Sequence, residues 1–285
     1  MKLRSYNLLT WIPHLFLFYK EKVFRKLLPI TGIIVLYAIT IAYFFENTHD
    51  YHLGQFHLIF SFILTVIISF RVNSSYSRWW EGRILWGTIT NNCRNLGQKF
   101  DIFIGLKQQT QFYQLLSKFP LILTAHLRKN TAQIEKELTS LCIPDSESQH
   151  PILLITKRMY AIINELRQSK RLQFEQYLAL DAHIVNLIDA VGGCERIANT
   201  PIPPAFSYFV KQALLFYVLL FPFGWSDTFG YLVIPVMVMI VYIWLGLEIL
   251  SEELEEPFGK GENNLPLVTI SKNIVRNVEQ ISEPL

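Results

Sequence analysis

Apolar residues in this chain gather into long runs separated by charged stretches. A helix that crosses the hydrocarbon core of a bilayer needs about 20 mostly apolar residues, and four stretches qualify. Residues 28–45 carry no charge, residues 53–70 carry none unless His57 ionises, and residues 229–247 carry none at all. Residues 206–223 are interrupted by Lys211, whose ammonium can snorkel to water if its end of the helix faces the cytoplasm.

The second run passes without a break into Arg71-Val72-Asn73-Ser74-Ser75-Tyr76-Ser77-Arg78-Trp79-Trp80-Glu81-Gly82-Arg83. An arginine at the centre of a bilayer costs at least about 2.5–3.5 kcal/mol, so Arg71 and Arg78 are expected at or beyond the water boundary. Trp79 and Trp80 suit an amphipathic interface or a tight helix contact. The join predicts a helix that leaves the membrane without stopping.

Residues 71–204 are charged and periodic, with Ile84, Leu85, Thr88 and Asn92 at helical spacing near the start and Ile184, Leu187, Ile188 and Val191 near the end. Proline and glycine disfavour helix interiors, so breaks are expected at Phe119-Pro120, at Pro144 and Pro151, at Gly192-Gly193 and at Pro201 to Pro204. The tail after Leu250 is acidic, and an amphipathic helix with Ile270, Ile274, Val278 and Ile281 on one side closes the chain. No strand pattern competes. The expected fold is all-α: a polytopic membrane protein with four transmembrane helices continuing into a helical cytoplasmic domain. The expected division is a cytoplasmic N-terminal segment (1–27), transmembrane helices 1 and 2 (28–70), a cytoplasmic helical region (71–204), transmembrane helices 3 and 4 (205–250) and a cytoplasmic C-terminal tail (251–285).

Charge placement sets the orientation. The short loops at residues 46–52 and 224–228 contain no Lys or Arg, whereas the opposite ends of the spans hold nearly all of them, so both termini are expected in the cytoplasm. The first residues mix Lys2, Arg4, Lys20, Lys22, Arg25 and Lys26 with aromatics and lack the pattern of a cleaved signal peptide. A multi-pass membrane protein is implied. The composition agrees, with 51% hydrophobic and 17% charged residues, and the net charge of +3 adds little until the charges are placed. Cys93, Cys142 and Cys194 are widely spaced and read as reduced.

Chemistry-bearing patterns are sparse. Neither phosphate-binding glycine loop occurs, no nucleophile and base converge, and nothing points to nucleic acid or a cofactor, so the chain is not read as an enzyme. His49, His52 and His57 lack a helical i, i+4 pair, and although His49, Asp50 and His52 can chelate zinc weakly, no metal site is assigned. Phe62, Val66 and Phe70 share one helix face, continued by Ser74. Around an axis such a stripe makes an apolar constriction above a polar zone at Asn73 and Ser74; ordinary bundle packing is the alternative. Arg78, Glu81 and Arg83 read as a structural charge cluster that pairs with neighbours.

Arg78-Trp79-Trp80-Glu81-Gly82-Arg83 with Leu85-Trp86-Gly87, Cys194-Glu195-Arg196-Ile197 leading to Thr200-Pro201-Ile202-Pro203, and Glu256-Pro257-Phe258-Gly259 followed by Leu265-Pro266-Leu267 resemble, in this order, the bacterial branch of the bestrophin family. The resemblance implies a homopentameric channel in the lipid bilayer of the bacterial inner membrane, with four membrane helices per subunit. It also implies one axial pore, whose neck is formed by Phe62, Val66 and Phe70, and a cytoplasmic vestibule. It implies a second constriction near the start of the helix that ends in Cys194-Glu195-Arg196, placed here at Glu175; five carboxylates there would attract cations, and a solvated surface glutamate is the alternative. Animal members carry a calcium clasp after Pro-Phe-Gly, but Lys260-Gly261-Glu262-Asn263-Asn264 offers too few acidic oxygens for one. With Glu46, Asp50 and Asp227 in the external loops, the expected function is passive conduction of monovalent ions with cations favoured. The alternatives are an anion channel of the same architecture, and a scaffold or partner-gated channel that docks a cytoplasmic protein.

Overall fold

The computed structural model describes residues 22–44, 53–143 and 150–283. Residues before 22, the stretch with Glu46, His49, Asp50 and His52, and the expected break at Pro144 lie outside them. Among the described residues every regular element is helical: α1 (Lys22–Phe44), α2 (Gly54–Phe103), α3 (Thr110–Leu127), α4 (Thr131–Ser140), α5 (Pro151–Gln168), α6 (Phe174–Asn199), α7 (Pro204–Phe229), α8 (Val233–Glu255) and α9 (Leu267–Ser282). Four stretches are long and apolar enough to cross a membrane: Arg25–Phe44, the first part of α2, Pro204–Ser226 and Gly230–Glu255. At about 1.5 Å per residue the 50 residues of α2 extend about 75 Å, more than twice a hydrocarbon core of about 30 Å.

The chain forms two compact units, Met1–Ser77 with Ile202–Glu255 and Arg78–Pro201 with Glu256–Leu285. In the first, α1 packs on α8 and α7, and Ala38, Leu64, Ile68, Val210, Leu214 and Met237 belong to its core. Buried His57 meets the rings of Tyr217 and Phe221 at centroid distances of 5.3 and 5.8 Å. Gly224 makes room for that imidazole, because a Cβ there would lie 2.4 Å from the ring. Residues 224–228, expected as a loop, are the last turns of α7: helical hydrogen bonding carries on to the real turn at Gly230, whose φ of +52° suits glycine.

In the second unit α3 is central and packs against α4, α5, α6 and α9. Its core receives Trp86, Ile89, Cys93, Leu96 and Phe100 from α2. The expected stripe is met only in part: Ile84 is exposed, Leu85 is partly buried against this core, and Asn92 is buried. The closing helix places Ile274 and Val278 in the core with Ile270 and Ile281 against it.

Two expected breaks are absent. Helix α3 runs through Pro120, where an interior proline costs about 3 kcal/mol or more. It also buries Phe112, Leu115, Leu116, Phe119, Ile122 and Leu123, and each such side chain contributes about 1.5–3 kcal/mol, so burial wins. The Pro120 carbonyl additionally accepts hydrogen bonds from Thr124 Oγ1 (2.9 Å) and Ser271 Oγ (3.0 Å). Helix α6 likewise runs through Gly192-Gly193, since a Cβ on Gly193 would come within 2.8 and 2.9 Å of the Leu85 methyls. Glycine is there for close approach of α6 to α2. The expected stop at Pro201 to Pro204 is present, between Asn199 and Pro204.

Gly193→Val should destabilise the protein by about 1–3 kcal/mol, the usual cost of overpacking, and Leu85→Ala in the same chain should recover part of it. Thermal unfolding of detergent-solubilised protein reads both effects.

Candidate pore helix and its anchorage

Helix α2 advances by about 100° per residue, so its first turns have two distinct sides. His57, Leu64, Ile68, Arg71 and Ser75 are buried and share one side. Phe62, Val66 and Phe70 lie on the opposite side, with exposures of 70%, 40% and 65%. Ser61, Thr65 and Ser69 spend their hydroxyl donors on backbone carbonyls of their own helix. Asn73 and Ser74 are exposed, but they part company: Asn73 lines a cavity of about 410 Å³ with Thr65, Ser69 and Tyr76 of α2 and Trp244 and Leu247 of α8, and Ser74 does not.

Arg71 is not left to water. Its side chain is 1% exposed, with Nη2 2.8 Å from Glu255 Oε2 and Nε 3.6 Å from Glu248 Oε2. The other Glu255 oxygen accepts the Ile202 N–H at 3.0 Å. Glu252 pairs with Lys211 of α7, so the lysine that interrupts that span has a carboxylate beside it, and Glu253 pairs with Lys26 of α1 at 3.5 Å. Carboxylates at a helix C-terminus oppose the helix dipole. Here each of the other three helices of the unit supplies a cation to the end of α8. The acidic run that read as the beginning of a tail is thereby a junction, and Arg71 is its buried member.

A second set of contacts holds α2 inside the other unit. Arg78 donates through Nη1 to the Thr200 carbonyl (2.8 Å) and through Nη2 to the Ile197 carbonyl (2.7 Å), occupying acceptors that the end of α6 leaves open. Glu81 forms an ion pair with Arg196. Arg83 is exposed and has no ion-pair partner among the described residues. Trp79 Nε1 donates to the Asn263 carbonyl at 3.0 Å, and Gly82 lies so close to Phe258 that a Cβ would sit 3.1 Å from its ring. Arg128, from the end of α3, donates to the Phe258 and Gly259 carbonyls at 3.1 and 2.9 Å. Carbonyls in and just before Pro-Phe-Gly are thus engaged by the protein itself, since the Asn264 amide also donates to the Glu256 carbonyl while its oxygen accepts the Gly261 N–H.

Farther along α2, Asn92 Oδ1 lies 2.9 Å from His183 Nδ1 of α6. Burial, then the nearby Lys99 charge, holds that imidazole below its ordinary pKa. Burial foremost, with the Glu195 and Glu81 carboxylates adding to it, pushes the Cys194 thiol up to about 12. It is therefore a thiol at neutral pH and a poor nucleophile. Glu175 stands exposed in the first turn of α6, a helix start closed by reciprocal side-chain bonds of Gln173 and Gln176. A carboxylate there has the favourable end of the helix dipole. Arg167 lies 5.8 and 5.3 Å above the rings of Phe174 and Tyr177.

Reading the sequence missed the partners Glu248 and Glu255, which lie 177 and 184 positions from Arg71. The acidic composition of that stretch was the available signal; what it pairs with is set by the packing of α8.

Comparison with known proteins adds three findings. A family profile described as Bacterial/Fungal Bestrophin protein matches residues 1–280. A voltage-dependent anion channel-forming protein of Nostoc sp. is 32% identical over 231 residues, 78% of this chain and 75% of the relative; one of Mesorhizobium japonicum is 31% identical over 264 residues, 89% and 84%. The crystal structure of a bacterial bestrophin homologue from Klebsiella pneumoniae superposes with a TM-score of 0.80 at 27% identity, covering 89% of this chain and 98% of that one.

Arg71→Met should cost about 3–5 kcal/mol, because it strands buried carboxylates. Adding Glu248→Gln and Glu255→Gln should recover most of the loss, measured as the folded fraction that survives heating in detergent.

Proposed function

The chain belongs to the bacterial and fungal bestrophin family, and from that premise we propose that it is the subunit of a passive ion channel, a homopentamer in a lipid bilayer with α2 lining the conducting path. The observation that carries this reading is the opposition on α2 between a packed side, with His57, Leu64, Ile68 and Arg71, and a bare apolar side, with Phe62, Val66 and Phe70. Repeated around an axis, the bare side forms a neck that conducts when wet and closes by dewetting. Ser74, and Asn73 at the edge of its cavity, then lie just below the neck. The unit that contains α3 to α6 and α9 forms a vestibule on the cytoplasmic side, both termini are cytoplasmic, and Glu175 is the candidate residue of the exit aperture. A channel, not an enzyme, also accords with the channel-forming names of the relatives.

On selectivity the reading changes. The acidic external stretches, Glu175 and the cation preference implied by the resemblance to bacterial members favour cations, whereas the relatives carry the name anion channel-forming. The anion alternative is the better supported, and we adopt it. An apolar neck does not by itself discriminate by sign, and Glu175, exposed on a helix end, has no feature that commits it to the axis.

Planar bilayers with purified protein under asymmetric potassium chloride test this. Currents without any added partner that reverse near the chloride equilibrium potential are expected; reversal near the potassium value would overturn the anion reading, and silence from assembled protein would overturn passive conduction. Phe70→Ala should raise open probability, since it removes one of the two bulky rings of the proposed neck. Unaltered currents in an assembled variant would take α2 out of the pore. Glu175→Gln should move the reversal potential further toward chloride if Glu175 lines the aperture.

A further inference from the structure

Three donor groups meet in the α3–α6 unit at a point that the channel reading does not use. His126 sits in the last turn of α3, His150 directly precedes α5, and Glu195 lies one turn before the end of α6. Glu195 Oε1 is 2.8 Å from His126 Nε2 and 2.5 Å from His150 Nε2. The imidazole centroids are 4.6 Å apart with planes inclined at 58°. All three ligand atoms lie within 4.8 Å of one another, and the side chains are 25–31% exposed, so the group is held by the fold and open to solvent.

We propose that His126, His150 and Glu195 form a binding site for a divalent transition-metal ion of the zinc class. Two imidazole nitrogens and one carboxylate oxygen suit zinc, whereas calcium and magnesium demand mostly oxygen. Zinc–nitrogen and zinc–oxygen bonds of about 2.0–2.2 Å put neighbouring ligand atoms of a tetrahedral ion about 3.3–3.5 Å apart. The two Glu195–imidazole distances open by up to about 1 Å to reach that spacing, a shift within the freedom of partly exposed side chains. Three protein ligands leave a fourth position for water.

The location gives such an ion structural leverage. It ties the end of α3, the start of α5 and the end of α6 together, and the residue after Glu195 is Arg196, the partner of Glu81 on α2. Metal would therefore stiffen the end of α6, whose Ile197 and Thr200 carbonyls receive Arg78.

The test uses the full-length protein in detergent, freed of metal by chelation and carrying no affinity tag. Calorimetric titration with zinc, and cobalt(II) absorption as a geometric readout, should give one saturable site per chain and a rise in the unfolding temperature. His126→Gln and His150→Gln should each weaken zinc binding roughly tenfold or more, since changing even a residue that only hydrogen-bonds a metal ligand costs about that much. Both variants keep His49 and His52, so weak external chelation stays constant. His150→Cys guards against a folding artefact: it should retain metal and add a sulfur-to-cobalt charge-transfer band. Wild-type protein with no saturable site, or glutamine variants that bind as wild type does, would overturn the proposal and leave a plain hydrogen-bonded cluster.

Discussion

The burial of Arg71 is the constraint around which the apolar unit is built. A guanidinium removed from water is tolerable only with carboxylates against it, and those come from the far end of the last long helix, as Glu248 and Glu255. Lys26 and Lys211 bring the same type of contact from α1 and α7 to Glu253 and Glu252. Four helices that share little but lipid-compatible surface thus acquire a common register at one end, because an apolar contact tolerates sliding and an ion pair does not.

What α2 gains from that register is a fixed rotation. With Arg71 turned into the bundle, helical geometry turns Phe62, Val66 and Phe70 the other way. The polar clamp and the bare stripe are two consequences of one rotational setting. In the proposed channel this setting decides which side chains of α2 face the conducting path.

Beyond Ser77 the same helix is gripped by a different device. The first of the sequence motifs that carry the family resemblance touches both others: Arg78 and Glu81 reach the Cys194-Glu195-Arg196-Ile197 segment and Thr200, while Trp79 and Gly82 reach Asn263, Phe258 and Leu265. None of these contacts performs chemistry. They fix the angle and depth at which α6 and the loop before α9 meet α2, with hydrogen bonds to carbonyls giving direction and a glycine giving closeness.

The sequence by itself determined whatever depends on neighbours along the chain: four apolar stretches, an uninterrupted passage from Phe70 into Arg71, the stop before Pro204, the amphipathic last helix, and the motifs that name the family. Hydropathy and proline act over a turn or two, so one strand of text suffices to read them. Tertiary structure alone decided that Trp86 of α2 is core and Ile84 is not, because that depends on what packs against the helix. It decided that Pro120 and Gly193 sit inside helices, since burial and close approach outweigh local propensity. It also paired Arg71 with Glu248 and Glu255, and gathered His126, His150 and Glu195. Each of these is a contact between residues tens to hundreds of positions apart, and the energy that selects it comes from packing that no local pattern records.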